Sequence, residues 1–318
     1  MMLIYILKRL VYVTPVAFGV SLVCFMLVHL APGDALSAVL PADATQETIN
    51  EMKAAYGFDK PLPIQYLIWL WHVLHGDLGT SIATGRPVLG EVSRAVVNSL
   101  ILASVATVIG FTFGTLFGFV AGYHRNSVAD RAASALSVFG VSVPHYWLGM
   151  VLVIVFSATL GWLPPTGAGP DGSGNWRPDF DHLRYLILPA VTMSVIPTGI
   201  IARTVRALVA DILAQDFVEA LRAKGMDEFG VFKHVVRNAA PTALAIMGLQ
   251  LGYLLGGSIL VETVFAWPGT GFLLNAAIFQ RDLPLLQGSI LVLAMFFVVL
   301  NLLVDVMQTA LDPRIERA

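Results

Sequence analysis

Hydrophobic residues in this chain gather into long runs instead of alternating with polar ones. Lys8 and Arg9 precede a first apolar stretch from Leu10 to Leu30, and others cover about Ser99–Ala121, Ala132–Leu160, Tyr185–Ala202, Thr242–Val264 and Leu285–Val306. Each is near or above the ~18 residues that carry a helix across a hydrocarbon layer of roughly 30 Å. Lipid offers the backbone no hydrogen-bonding partner, so such a run must be helical. The pattern predicts an all-α integral membrane protein with six transmembrane helices. The first stretch is longer than a signal-peptide core and reads as a retained span. The third exceeds one straight crossing and holds Pro144, and the fourth holds Pro189 and Pro197, so kinks or tilts are expected there.

The polar segments set the orientation. Lys8, Arg9, Arg125, Arg131, Arg203, Arg206, Arg222, Lys224, Lys233, Arg237, Arg314 and Arg317 fall on one side of the predicted spans, while the opposite short loops hold only Arg177, Arg184 and Arg281. Cytoplasmic flanks collect Lys and Arg, which places both termini in the cytoplasm. The expected organisation is an N-terminus and first helix over 1–31, a long external loop over 32–98, a transmembrane core over 99–310 containing a cytoplasmic loop at 203–238, and a tail at 311–318. Within the external loop, Asp43 and Gln46 followed by Ile49, Met52 and Ala55 predict a capped short helix ending at Gly57. From Pro63, the spacing of Ile64, Leu67, Ile68, Trp71 and Leu74 predicts an interfacial helix, with Trp69 and Trp71 at headgroup level.

Composition narrows the function. The chain is 57% hydrophobic and 13% charged, with mean hydropathy +0.76 and formal charge −2, which leaves no basic excess for a nucleic-acid partner. Cys24 is the only cysteine, so no intrachain disulfide forms. No Gly-x-x-x-x-Gly-Lys-[Ser/Thr] stretch is present to hold ATP, and no Gly-x-Ser-x-Gly or His-Glu-x-x-His motif suggests an enzyme. Any energy from ATP must come through another chain, and no cofactor is implied. Gly110, Gly114, Gly118 and Gly122, and again Gly248, Gly252 and Gly256, stand four apart, the device by which helix backbones approach closely in lipid.

The segment from Arg203 to Asn238 is too patterned for a tether. Phe217, Ala220 and Leu221 form one apolar stripe, Gly225 breaks the helix, Asp227 can cap the next, and Phe229, Phe232 and Val236 form a second stripe. Periodicity fits either a helix-turn-helix protrusion facing a soluble partner or an amphipathic loop lying on the membrane.

Glu219-Ala220-Leu221, three residues, then Gly225, resembles the Glu-Ala-Ala-x-x-x-Gly loop of permease subunits of binding-protein-dependent ATP-binding-cassette importers. Leu221 replaces the second Ala, and Arg237-Asn238 stand where the general motif has Leu-Pro. The chain is further similar to the peptide, nickel and glutathione branch, in particular to the first of its two sister permeases. The stretches that carry this are Gly57-Phe58-Asp59-Lys60-Pro61-Leu62-Pro63, Gly76-Asp77-Leu78-Gly79, Ser142-Val143-Pro144, Arg222-Ala223-Lys224-Gly225, Val261 through Gly269 and Leu311-Asp312-Pro313-Arg314. The resemblance implies a type I importer permease in which Glu219, Ala220, Leu221 and Gly225 belong to a coupling helix seated on an ATPase subunit. It also implies a sister permease, two ATPase subunits and an extracytoplasmic substrate-binding protein. Di- and oligopeptides are the expected cargo, with nickel complexes, glutathione, opines and oligosaccharides as alternatives.

Other polar residues carry two readings each. His72 and His75 could face one metal, yet an interfacial position accounts for them and no metal site is expected. Glu262, beside Trp267-Pro268-Gly269, either contacts the binding protein or an outer gate, or anchors its turn. His145 and Gln250 are candidates to line a polar pathway, while Asn301 and Asp305, four apart on the last span, suggest structural pairing. An ion-coupled secondary transporter would need paired repeats and buried coupling carboxylates, which the sequence does not show. A structural or assembly protein would leave the 203–238 loop unexplained.

Overall fold

The computed structural model describes residues 2–30, 45, 60–170, 172, 176–256 and 259–311. Among these, the secondary structure is helical apart from one isolated bridge between Thr80 and Pro87. The helices are α1 (Met2–Leu30), α2 (Leu62–Leu74), α3 (Val88–Tyr123), α4 (Val128–Ser142), α5 (His145–Leu152), α6 (Phe180–Leu213), α7 (Asp216–Ala223), α8 (Glu228–Gly256), α9 (Ile259–Val264), α10 (Thr270–Gln280) and α11 (Leu283–Leu311). The expected apolar stretches fall on α1, α3, α4 with α5, α6, α8 with α9, and α11. By length and composition α3 and α6 suffice to cross a membrane, and α4 with α5 is a third span if the bent pair is one crossing. The capped helix expected around Asp43 to Gly57 lies outside the described residues, as do the side chains of Asn301 and Asp305.

The third stretch breaks where Pro144 predicts. Val143 is extended, Pro144 stands at the N-cap position just before α5, and the two halves meet at 104°. A π-helical turn at Val153–Thr159 then ends the segment. In contrast α6 runs unbroken through Pro189 and Pro197. Its hydroxyls turn back onto its own carbonyls, Thr192 Oγ1 to Leu188 O at 2.8 Å and Thr198 Oγ1 to Ser194 O at 2.7 Å, which supports the backbone near the prolines.

The chain divides into two compact units. One comprises residues 1–98 and 268–302. There α2 packs on α1 through Ser21 and Tyr66, whose hydroxyls are 2.7 Å apart, and through the ring cluster of Phe18, Phe25, Tyr66 and Trp69. Trp71 remains largely exposed, as an interfacial helix requires, while Trp69 joins the cluster. Val88, Val92, Ala277 and Leu285 form the unit's core. Asp282, buried, ties the 79–87 turn to the start of α11: it accepts from Ser81 Oγ at 2.5 Å, Ala83 N at 3.1 Å and Leu285 N at 3.1 Å.

The other unit comprises residues 99–267 and 303–318. The glycines of α3 seat that helix against α6. A Cβ on Gly114 would meet Ile201 at 2.9 Å, on Gly118 the Ala202 carbonyl oxygen at 2.5 Å, and on Gly122 the Arg206 carbonyl oxygen at 2.7 Å. From the other side α4 meets α6 at Gly199, where a Cβ would lie 2.7 Å from Ser137 O. Asp130, in the first turn of α4, is buried and grips the Arg206 guanidinium of α6. The apolar core of this unit has two parts, one around Leu102, Leu186, Phe265 and Trp267, the other around Ile201, Val205, Val209, Val218, Val231 and Val235.

Candidate functional site: the α6–α8 connection

Between α6 and α8 the chain makes a two-turn helix, α7, and a tight reversal. The expected loop of 203–238 is shorter in the structure. Arg203 lies within α6, the second expected short helix is the beginning of α8, and the connection proper covers 214–227. Charges at Arg203 and Arg206 mark where apolar sequence ends, but the helix continues past them with Arg206 paired to Asp130.

The end of α7 is closed by a pair of bonds specific to a left-handed residue. Gly225 has φ +79°, its N–H donates to Arg222 O at 2.9 Å, and the Met226 N–H donates to Leu221 O at 3.1 Å. This is a Schellman closure, which satisfies the last carbonyls of the helix and needs a residue free to adopt positive φ. Asp227 then starts α8 by accepting the Gly230 N–H at 3.0 Å on Oδ1. Helix break and cap thus fall on the residues expected of them.

The buried face differs from expectation. Val218, Val231, Val235 and Ala239 are buried against Val205, Val209 and Ile212, whereas Phe229 is 74% exposed and Phe232 and Val236 are also exposed. The valine row, spaced four and four, and the phenylalanine row, spaced three and four, both fit a helical face, and the smaller side chains allow α8 to approach α6 closely; Phe232 instead meets Phe119 edge-on at 4.8 Å. In α7 Phe217 and Leu221 are half-buried, while Glu219, Ala220, Lys224 and Gly225 are exposed. The helix is therefore held by one edge and presents the other outward. Arg222 forks onto Glu228, and Tyr123 donates to the same carboxylate. The Tyr123 hydroxyl and then the Arg222 guanidinium hold the Glu228 carboxyl below the usual carboxylate range.

The remaining candidates lie elsewhere. His145 is the half-buried first residue of α5. Gln250 lies on α8, and its Oε1 is buried with no hydrogen-bond partner. Glu262 on α9 is fully buried and accepts from Ser99 Oγ at 2.6 Å, so here it braces the fold and offers no surface for docking. His72 pairs with Asp77 at 3.2 Å and His75 Nδ1 lies 2.8 Å from Trp71 O. Among the described residues no group of three or more His, Cys, Asp or Glu could hold a metal ion. Reading the sequence missed the Asp130–Arg206 tie. Ser127 three residues before Asp130 signals a helix cap, but nothing signals a partner 76 residues away.

Between the long helices α6 and α8, the chain thus presents an exposed two-turn helix closed by the Gly225 turn. Residues 114–317 match the family described as "Binding-protein-dependent transport system inner membrane component", and residues 2–112 match its N-terminal companion family. The chain belongs to this family and is a multi-pass permease component of a binding-protein-dependent ATP-binding-cassette importer. It is similar to the glutathione transport system permease protein GsiC of Salmonella choleraesuis, 38% identical over 99% of each chain. It is equally similar, at 38% over 99% of each chain, to a Brucella melitensis biotype 1 protein named provisionally as a peptide transport system permease. Its fold resembles a chain of the MetNI methionine ABC transporter, with TM-score 0.55 and 19% identity, covering 70% of this chain and 96% of that one.

Proposed function

We propose that this chain forms one half of the translocation pathway for short peptides, glutathione among them, and that α7 is its coupling helix. The observation that carries the reading is the exposed edge of α7, Glu219, Ala220 and Lys224, closed by the Gly225 turn and held from behind by Val218. An ATPase groove that receives this edge can push or pull the helix without unfolding it. The other half of the pathway is a sister permease, two ATPase subunits bind on the cytoplasmic side, and a binding protein delivers cargo from outside. Both termini and the 214–227 connection are cytoplasmic, in keeping with the Lys and Arg on that side.

Peptide and glutathione cargo are favoured by the names of full-length relatives at 38% identity, and glutathione is itself a modified tripeptide. Gln250 lines the pathway in this proposal, because an amide oxygen buried without a partner costs about 1–3 kcal/mol unless a ligand or water meets it. His145, at the break of the bent segment, is a second lining residue. Glu262 keeps an outer-gate role only if Ser99 releases it. The test is uptake of glutathione and of trialanine into vesicles carrying the complete complex. Uptake that requires ATP and survives collapse of ion gradients is expected; uptake abolished by an ionophore with ATP intact would overturn the reading.

A further inference from the structure

Arg222, Glu228 and Tyr123 bring three helices to one carboxylate. Arg222 is in the last turn of α7, Glu228 is the first residue of α8 and Tyr123 is the last residue of α3. Arg222 Nε lies 3.1 Å from Glu228 Oε1 and Nη2 3.3 Å from Oε2, while the Tyr123 hydroxyl donates to Oε2 at 2.5 Å. We propose that these are positioning residues, which clamp the coupling helix to α3 so that a displacement of α7 is delivered to α3 as well as to its chain neighbours α6 and α8.

The inference rests on the reading of α7 as the coupling helix, and three features support it. Val218 is the only fully buried side chain of α7, so without a second attachment this two-turn helix could pivot about its links at 214–215 and 224–227. Isolated exposed ion pairs contribute little, but a bidentate guanidinium–carboxylate pair in a network is the exception. A staple across the Gly225 turn would need only Arg222 and Glu228; the phenol of Tyr123 adds a third element that the turn does not require. The same junction is braced by rings, with Phe119 stacked on Tyr123 at 5.8 Å and edge-on to Phe232 at 4.8 Å. Above it, α3 is locked to α6 through Gly114, Gly118 and Gly122, so motion reaching Tyr123 enters the bundle.

The experiment uses the complete complex in lipid vesicles, with Cys24 replaced by Ala and spin labels on Ala223→Cys in α7 and His124→Cys beside α3. In the parent, the inter-label distance should be narrow and identical in the nucleotide-free and ATP–vanadate-trapped states. Glu228→Gln should broaden it and make it change with nucleotide. Stimulation of ATP hydrolysis by the binding protein, purified with its native cargo, should fall about tenfold. The charge exchange Arg222→Glu with Glu228→Arg should restore most of it, which a merely structural lesion would not do. Parent-like distances and parent-like stimulation in Glu228→Gln would overturn the clamp. If the charge variants do not assemble, Tyr123→Phe decides: it keeps the stacking on Phe119 and removes only the hydroxyl, and unchanged distances and stimulation there overturn the proposal. A parent complex in which the binding protein gives no stimulation at all contradicts the coupling-helix reading itself, a separate result.

Discussion

A Cβ placed on Gly118 of α3 would come within 2.5 Å of the Ala202 carbonyl oxygen of α6. The obstacle is backbone, and Val205 Cβ stands at 2.8 Å beside it, so no side-chain rotation relieves the clash. Without a hydrophobic drive between helices in lipid, such close approach is what holds α3 to α6.

Gly118→Ala should therefore destabilise the bundle by about 1–3 kcal/mol, the usual cost of overpacking. Gly19→Ala, where a new methyl meets nothing within 4 Å, serves as the control. Thermal unfolding in detergent checks this, and equal midpoints for the two variants would contradict the packing account.

Gly225→Val should uncouple transport while leaving the protein in the membrane. Space is not the obstacle, since a Cβ at Gly225 meets no atom within 4 Å. The cost is the left-handed φ of +79°, roughly 1–2 kcal/mol for an ordinary residue and more for a β-branched one. Losing this turn frees the carbonyls of Leu221 and Arg222 and swings α7 against α8. Binding-protein-stimulated ATP hydrolysis should fall sharply in complexes of parental composition; Glu219→Ala, altering one exposed contact, should act less severely.

Asp282→Ala should loosen the 79–87 turn, because it strands the Ser81 hydroxyl and the N–H groups of Ala83 and Leu285. With a buried carboxylate lost, the expected cost is about 3 kcal/mol, and Ser81→Ala alone should cost less than half of that. Hydrogen exchange of the 79–87 segment reports it; unchanged protection would count against the tie.

Six helical segments were legible in the sequence because long apolar runs have one solution in lipid, and the break at Pro144 was legible because proline removes a helical bond. Gly225 and Asp227 were legible for a similar reason: a left-handed closure and a helix cap each admit few residues. The face that α8 buries was not. Phe229, Phe232 and Val236 and the row Val231, Val235 and Ala239 both fit a helical face, and only the close approach to α6 selects the valines. For Glu262 the sequence left contact or gate and anchoring of its turn both open; the burial of Glu262 and Trp267 and the bond from Ser99 were not legible, because nothing local signals a partner 163 residues away.

The outward edge of α7 is the most direct point of attack on the central claim. Cys24, the only native cysteine, is buried, so Ala220→Cys places one accessible thiol on that edge. Labelled with a thiol-reactive photo-crosslinker and illuminated in the assembled, transporting complex, position 220 should capture the ATPase subunit, whereas Phe279→Cys on α10, also exposed, should not. Position 220 joined only to lipid or to the sister permease, in complexes that still hydrolyse ATP in response to the binding protein, would contradict the assignment of α7 as the coupling helix.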